Sequence, residues 1–376
     1  MTKPSEHPDA GATLIALNAS YLSRAALCRL AVDPGLWSST PEDQVEARAL
    51  ALGVPAQQLR KGLRALDRAE ATAARERRRA EESGYRILTR LDDAYPTALL
   101  DHPLPPPVLY CRGNLPAGPA VSIVGSRRMD SYGRDATRLF ARGLARAGVT
   151  VVSGFALGVD QAAHRACLDT GGKTVAVLGC GLDIDYPAGS RGLADAIAQS
   201  GALISELPPG TEPRAWHFPI RNRMIAALGA GTLVVQAKIR SGSLITAHQA
   251  LEMGRDVFAV PGRVTDELSL GPNGLLADGA AVVQCVEDVL EHLSLGWQRD
   301  LFPEPGGATS ARRVEPPKPD GLAGEVLDTL DRGHPGRTAE EISKRVGQSV
   351  DAVLGVLLEL ELSGWIERRP GPVYGR

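Results

Sequence analysis

Three short runs of this 376-residue chain carry residue types that could do chemistry. Gly125-Ser126-Arg127-Arg128 follows an apolar, β-branched stretch containing Val121, Ile123 and Val124. A Gly turn after a buried strand, opening into a helix, offers unpaired backbone N–H groups to an anion, with Arg127 and Arg128 beside them. The run HFPIRNR (217–223) gathers Phe218, Arg221, Asn222 and Arg223, read here as one loop. An aromatic face beside guanidinium forks and an amide suits a single-stranded base that is stacked while its phosphate is gripped. The alternative is a core Phe218 and an arginine that caps a neighbouring helix. Lys238 with Ser241-Gly242-Ser243 repeats the pattern of a small-residue turn with a cation at a helix start.

Other candidates carry less. Asp160 and His164 lie i,i+4 on one helix, but no third metal ligand has convincing spacing, and a hydrogen-bonded structural His is the favoured reading. Ser126 and Ser153 follow strands, yet GxSxG is absent, as are GxGxxG and the GxxxxGK[ST] phosphate loop. No catalytic residue, cofactor or ATP hydrolysis is expected. Arg134, Arg138, Arg142 and Arg146 recur at i,i+4 along one helix. They read equally as a phosphate track or as a solvated stripe.

These runs must be positioned by alternating strands and helices. From 120 to about 292 the order is strand, Gly turn, helix, strand, repeated through the apolar runs at 149–152, 174–181, 202–206, 232–237, 256–262 and 281–285. That pattern predicts an α/β, Rossmann-like, doubly wound and mainly parallel sheet, with its ligand at the carboxyl ends of the strands. GPNGLLADGA reads as a Gly-rich loop, and 91–116 as a Pro-rich connector ending in a short strand at Val108–Tyr110. Upstream, 12–80 is helical throughout, broken at Pro34-Gly35 and restarted by a cap at Ser39-Thr40-Pro41. Arg75 and Arg77–Arg79 alternate with glutamates and read as a solvated face. The expected domains are 1–82 (helical), 83–296 (Rossmann-like), a Pro/Gly-rich linker at 297–320, and 321–376.

The last segment reads helix, helix, helix, hairpin, with a Thr338–Glu341 capping box, which is the winged-helix order. From Gly321 onward seven Lys/Arg face nine Asp/Glu, so a groove-reading role is disfavoured. A protein contact, or a weak wing contact through Arg368 and Arg369, suits it better. Formal net charge over the whole chain is −2, so any nucleic-acid binding must come from local clustering. The five cysteines form no CxxC pair, and neither a signal peptide nor an apolar run long enough to span a bilayer stands out. The expectation is a cytoplasmic protein with reduced thiols that does not enter a membrane.

The ordered runs VSIVGSRRMDSYG, VVSGFALGVDQAAH, VAVLGCGLDIDYP, ISELPPG, FPIRNRMIAAL, SGSLITAHQAL and VFAVPG resemble the DprA/Smf family of bacterial DNA-processing proteins. Over about 90–290 the resemblance implies a non-enzymatic protein that binds single-stranded DNA entering in natural transformation, protects it and loads RecA recombinase onto it. It further implies a homodimer through the Rossmann-like domain, a SAM-like fold for the N-terminal helices and a winged helix for the tail. It puts the DNA pocket at Gly125 to Arg128, Phe218 to Arg223, and Lys238 with Ser241 to Ser243. Gln236 stands where many members have Glu, which removes a candidate base and fits a binding protein. LNASYLSRAAL lacks the glycine turn of a helix–hairpin–helix.

Overall fold

The computed structural model of the protein describes residues 9–20, 22–32, 42–293, 319, 321–330, 337–362, 366–369 and 373–375. The expected break and cap at 34–41 and nearly all of the 297–320 linker lie outside them. The chain divides into two compact units, Met1–Arg299 and Asp300–Arg376.

In the first unit, helices α1 (Ala10–Ala19), α2 (Arg24–Val32), α3 (Val45–Ala51), α4 (Ala56–Leu66) and α5 (Ala69–Glu82) precede the sheet. The α1 helix begins at Asp9, whose carboxylate accepts from Gly11 N and Ala12 N. It is apolar on nearly all sides because it is covered on both: Leu17 packs with Leu27, Leu30 and Leu59, and Leu14 and Ile15 with Tyr85 and Tyr110.

The sheet alternates with helices in chain order: β1 (Arg86–Thr89), β2 (Val108–Gly113), β3 (Ala120–Val124), α6 (Ser131–Arg146), β4 (Thr150–Ser153), α7 (Val159–Leu168), β5 (Thr174–Val177), α8 (Arg191–Ser200) and β6 (Ala202–Ser205). It continues through α9 (His217–Leu228), β7 (Gly231–Val234), α10 (Gly242–Glu252), β8 (Asp256–Ala259), α11 (Leu270–Ala277), β9 (Ala281–Val282) and α12 (Val286–His292). Among the described residues these strands form one sheet of order β1-β2-β6-β5-β4-β3-β7-β8-β9. The β1–β2 and β2–β6 pairs are antiparallel and the remainder parallel. As expected for parallel strands buried on both faces, β3 splits its side chains. Val121 and Ile123 meet Phe140, Leu144 and Val159 on one face, whereas Val124 joins Met224, Ile225 and Ala247 on the other.

Two local expectations are corrected, and one strand is added. Residues 217–223 are the start of α9, not a loop. Pro219 sits in the first turn, where its missing N–H has no intrahelical partner to lose. GPNGLLADGA is largely the helix α11, with Pro272 again in the first turn and Gly271 against the backbone of Ala237, where a side chain would collide. Strand β1, which pairs Ile87 with Tyr110, was not anticipated.

In the second unit α13 (Leu322–Asp328), β10 (Arg337–Thr338), α14 (Ala339–Val346), α15 (Val350–Leu362), β11 (Glu367–Arg369) and β12 (Val373–Gly375) follow in order. The three strands form a sheet β10-β12-β11. Val326, Ile342, Val353 and Leu357 make the core between the helices. The expected capping box is present: Glu341 N donates to Thr338 Oγ1 at 3.3 Å, and Thr338 N to Glu341 Oε2 at 2.9 Å.

Candidate nucleic-acid interface

Strand order reverses at β3. The chain runs outward through β4, β5 and β6 on one side, then returns to β7 and β8 on the other. Loops leaving β3 and β7 therefore part at their carboxyl ends and open a crevice. An open cleft of about 1110 Å³ lies there, walled by 125–128 from β3, 238–243 after β7, and the first turns of α9.

The β3 loop is held from several directions. Ser126 N donates to Gln236 O at 2.6 Å, Val159 N to Ser126 O at 3.1 Å, and Arg128 N to Ser126 Oγ at 3.1 Å. Gly158 has φ +85° and packs on the backbone of Ser126 and Arg127, a contact and conformation that together require glycine. A side chain at Gly125 would come within 2.7 Å of Val159. With its backbone fixed, the loop sends the exposed Arg127 and Arg128 into the cleft.

Phe218, half-buried at the start of α9, makes an aromatic platform. Arg127 Cζ lies 5.4 Å from its ring centroid and Arg221 Cζ 5.8 Å, while Tyr186 stands 5.5 Å away at 34°. Arg221 is buried and donates to the carbonyls of Gly154 and Val177, so it supports the floor. Asn222 Nδ2 donates to Gly242 O at 3.1 Å and ties α9 to the Ser241-Gly242-Ser243 turn. Ser241 caps α10, accepting from Ser243 N at 3.4 Å. Lys238 lines the same cleft in an exposed pair with Glu267, an arrangement of little energetic weight that a phosphate can displace.

Arg223 is not brought into this cleft. Two residues along a helix rotate a side chain by about 200°, so Arg221 and Arg223 face opposite ways. Arg223 is buried against Glu206, with Nη1 2.8 Å from Oε1 and Nη2 2.6 Å from Oε2, and its Nε donates to Leu104 O. Burial raises the Glu206 carboxyl, but the charges of Arg223 and Arg24 outweigh it and bring it down to about 2. Arg223 is correspondingly raised. Glu206 also receives Arg24 at 3.7 Å, and its carbonyl accepts from Asn18 at 3.3 Å, so it anchors α1 and α2 to the sheet.

Asp160 and His164 do different work from a metal pair. Asp160 lines the cleft floor; burial pushes its carboxyl up to about 6 against the pull of Arg221 and Arg127. His164 is buried, bonds Thr174 Oγ1 at 2.7 Å, and is brought down to about 3, chiefly by burial. Sequence reasoning missed Tyr186 and Arg240 in the cleft. Their signals were modest: an Asp-Tyr-Pro run after β5, and a further cation in the turn that carries Lys238.

Sheet order, switch-point cleft and a three-helix tail with a terminal hairpin define a Rossmann-like protein with a winged-helix domain. The chain belongs to the DNA recombination-mediator protein A family, whose model matches residues 86–294, and the DprA winged helix domain model matches 310–372. Protein Smf of Escherichia coli (strain K12) is 40% identical over 298 residues, 77% of each chain. The X-ray structure of DNA processing protein A from Streptococcus pneumoniae aligns with a TM-score of 0.64 at 35% identity, over 75% of this chain and 97% of that one. DNA processing protein A from Helicobacter pylori, whose structure concerns its single-stranded DNA binding mode, aligns with a TM-score of 0.51 at 32% identity, over 57% of this chain and 98% of that one. No helix among the described residues is long and apolar enough to cross a membrane.

Proposed function

We propose that this protein is a non-enzymatic, largely sequence-independent single-stranded DNA binder that protects incoming DNA and loads RecA recombinase onto it during natural transformation. The observation that carries the reading is the Phe218 ring at the switch point with the Arg127 guanidinium over it. A base stacks on such a ring whatever its identity, and the adjacent guanidiniums take the phosphates. Arg127, Arg128 and Lys238 contact the backbone, Gly125, Ser126, Ser241, Gly242 and Ser243 present backbone and hydroxyl donors, and Asn222 and Arg221 hold the platform. The exposed cations of the cleft suit a polyanion better than a small neutral substrate.

The remaining assignments extend the same reading. The Rossmann-like domain (83–296) dimerises in the cytoplasm, so that one assembly offers two clefts. The N-terminal helices (1–82) act as a SAM-like accessory domain, and 297–320 links to the winged helix (321–376). A protein contact suits the winged helix, since Val350, Leu354 and Leu358 leave an apolar stripe on α15.

Anisotropy titration of a labelled 20-nucleotide single strand, with duplex and AMP as competitors, tests the proposal. Salt-sensitive binding that AMP does not displace is expected, and RecA filament formation on the bound strand should accelerate. Displacement by AMP with release of free adenine would instead make the cleft a nucleotide-processing site.

A further inference from the structure

The arginine line on α6 is divided by the fold. Arg142 turns to Asp169 at 3.5 Å, whereas Arg134 and Arg138 open into a second groove of about 550 Å³ between α6, α7 and α8. Arg165, on α7, enters the same groove from the facing side. All three are exposed, and among the described residues none has a carboxylate partner. Asp169, the one carboxylate on the groove wall among the described residues, is already engaged by Arg142. Ala162, Ala166 and Leu193 line the floor, and Gly192 leaves open space on the α8 side.

The crest separating groove from cleft is the 126–129 loop packed on Gly158. Arg128 lines the cleft on one side of it and Met129 the groove on the other. We infer that a single strand leaving the cleft crosses this crest and lays its phosphodiester backbone in the α6–α7 groove, gripped by Arg134, Arg138 and Arg165. This rests on the DNA-binding reading of the cleft and lengthens the site. Arg134 and Arg138 are one helical turn apart, about 5–6 Å between Cβ atoms, an interval of the order of that between successive phosphates of an extended strand. Among the described residues no aromatic side chain lines the groove, so it takes phosphates and leaves the bases unread.

Oligo(dT) of 6 and 24 nucleotides, titrated across salt against the full-length protein, separates this extension from the cleft itself. In R134Q/R138Q/R165Q the 6-mer should bind within about twofold of the parent. The 24-mer should weaken at least fivefold, and its salt slope should fall by about 2, as three lost contacts to a single strand require. R165Q alone, should the triple variant not fold, should lower the 24-mer slope by about 0.7. An unchanged 24-mer slope, or equal losses for both lengths, would overturn the groove. Arg127→Ala decides the cleft separately: it should weaken both lengths, and if it weakens neither, the cleft reading fails whatever the groove does.

Discussion

The carboxamide of Gln236 grips Asp130 twice: Nε2 donates to Asp130 Oδ1 at 2.9 Å, and Oε1 accepts from the Asp130 backbone N–H at 3.3 Å. The same Oδ1 accepts from Gly133 N at 2.8 Å and so caps α6. Since Gln236 O also receives Ser126 N, this one residue past β7 fixes both ends of the arginine loop. Its role is positional, which accounts for an amide where a charge would add repulsion against Asp130.

Gln236→Ala should therefore cost about 1–3 kcal/mol, because it strips two hydrogen bonds from the partly buried cap of α6. It should also weaken single-stranded DNA binding several-fold without removing any group that touches DNA. Thermal melts and titrations of the same sample check both. An unchanged affinity would mean that the loop keeps its geometry without this staple.

Arg223 and Glu206 should matter to folding and not to DNA. Arg223→Ala strips the buried Glu206 carboxylate of its two-pronged partner and leaves it only Arg24 at 3.7 Å, a loss of about 3–5 kcal/mol, yet its folded fraction should bind DNA as the parent does. Glu206 has its folded value near 2, well below its ordinary 4.5. Its stabilisation is thus complete above about 4.5 and drains away as pH falls toward 2. Glu206→Gln should flatten that acid limb in pH-dependent denaturation, and a limb of unchanged steepness would contradict the assignment.

How much of this was legible in the sequence depended on period. The β-branched runs ending in Gly125 and near Ser153 announce buried parallel strands, and the turns after them announce the ligand crevice. Phe218 stands between Arg127 and Arg221, but Phe-Pro reads as a loop in the sequence and so hides the rotation that separates Arg221 from Arg223. Nothing local in either segment pairs Arg223 with Glu206, which lies 17 residues away in the chain. Gln236 was visible as a missing charge. Its hydrogen bonds to Asp130 span 106 residues and arise only once β3 and β7 lie side by side.

Asp160 should make DNA binding pH-dependent. Its carboxyl, held near 6 by burial, lies on the cleft floor with Arg221 and Arg127 as the charges that act on it. Phosphate entering the cleft favours its neutral form, so binding takes up a proton and affinity falls as pH rises through about 6. Asp160→Asn should abolish that dependence between pH 5 and 8. A parent affinity that is level over this range would remove Asp160 from the account.

The most direct test of the central claim compares Arg127→Ala and Phe218→Ala on one labelled single strand across salt. Arg127→Ala should weaken binding for every base composition and lower the salt slope by about 0.7. Phe218→Ala should cost about 1–3 kcal/mol of binding with the slope intact, since it removes stacking and no ion contact. If both variants bound single-stranded DNA with the parent's affinity and slope, the switch-point cleft would not be where this protein holds DNA.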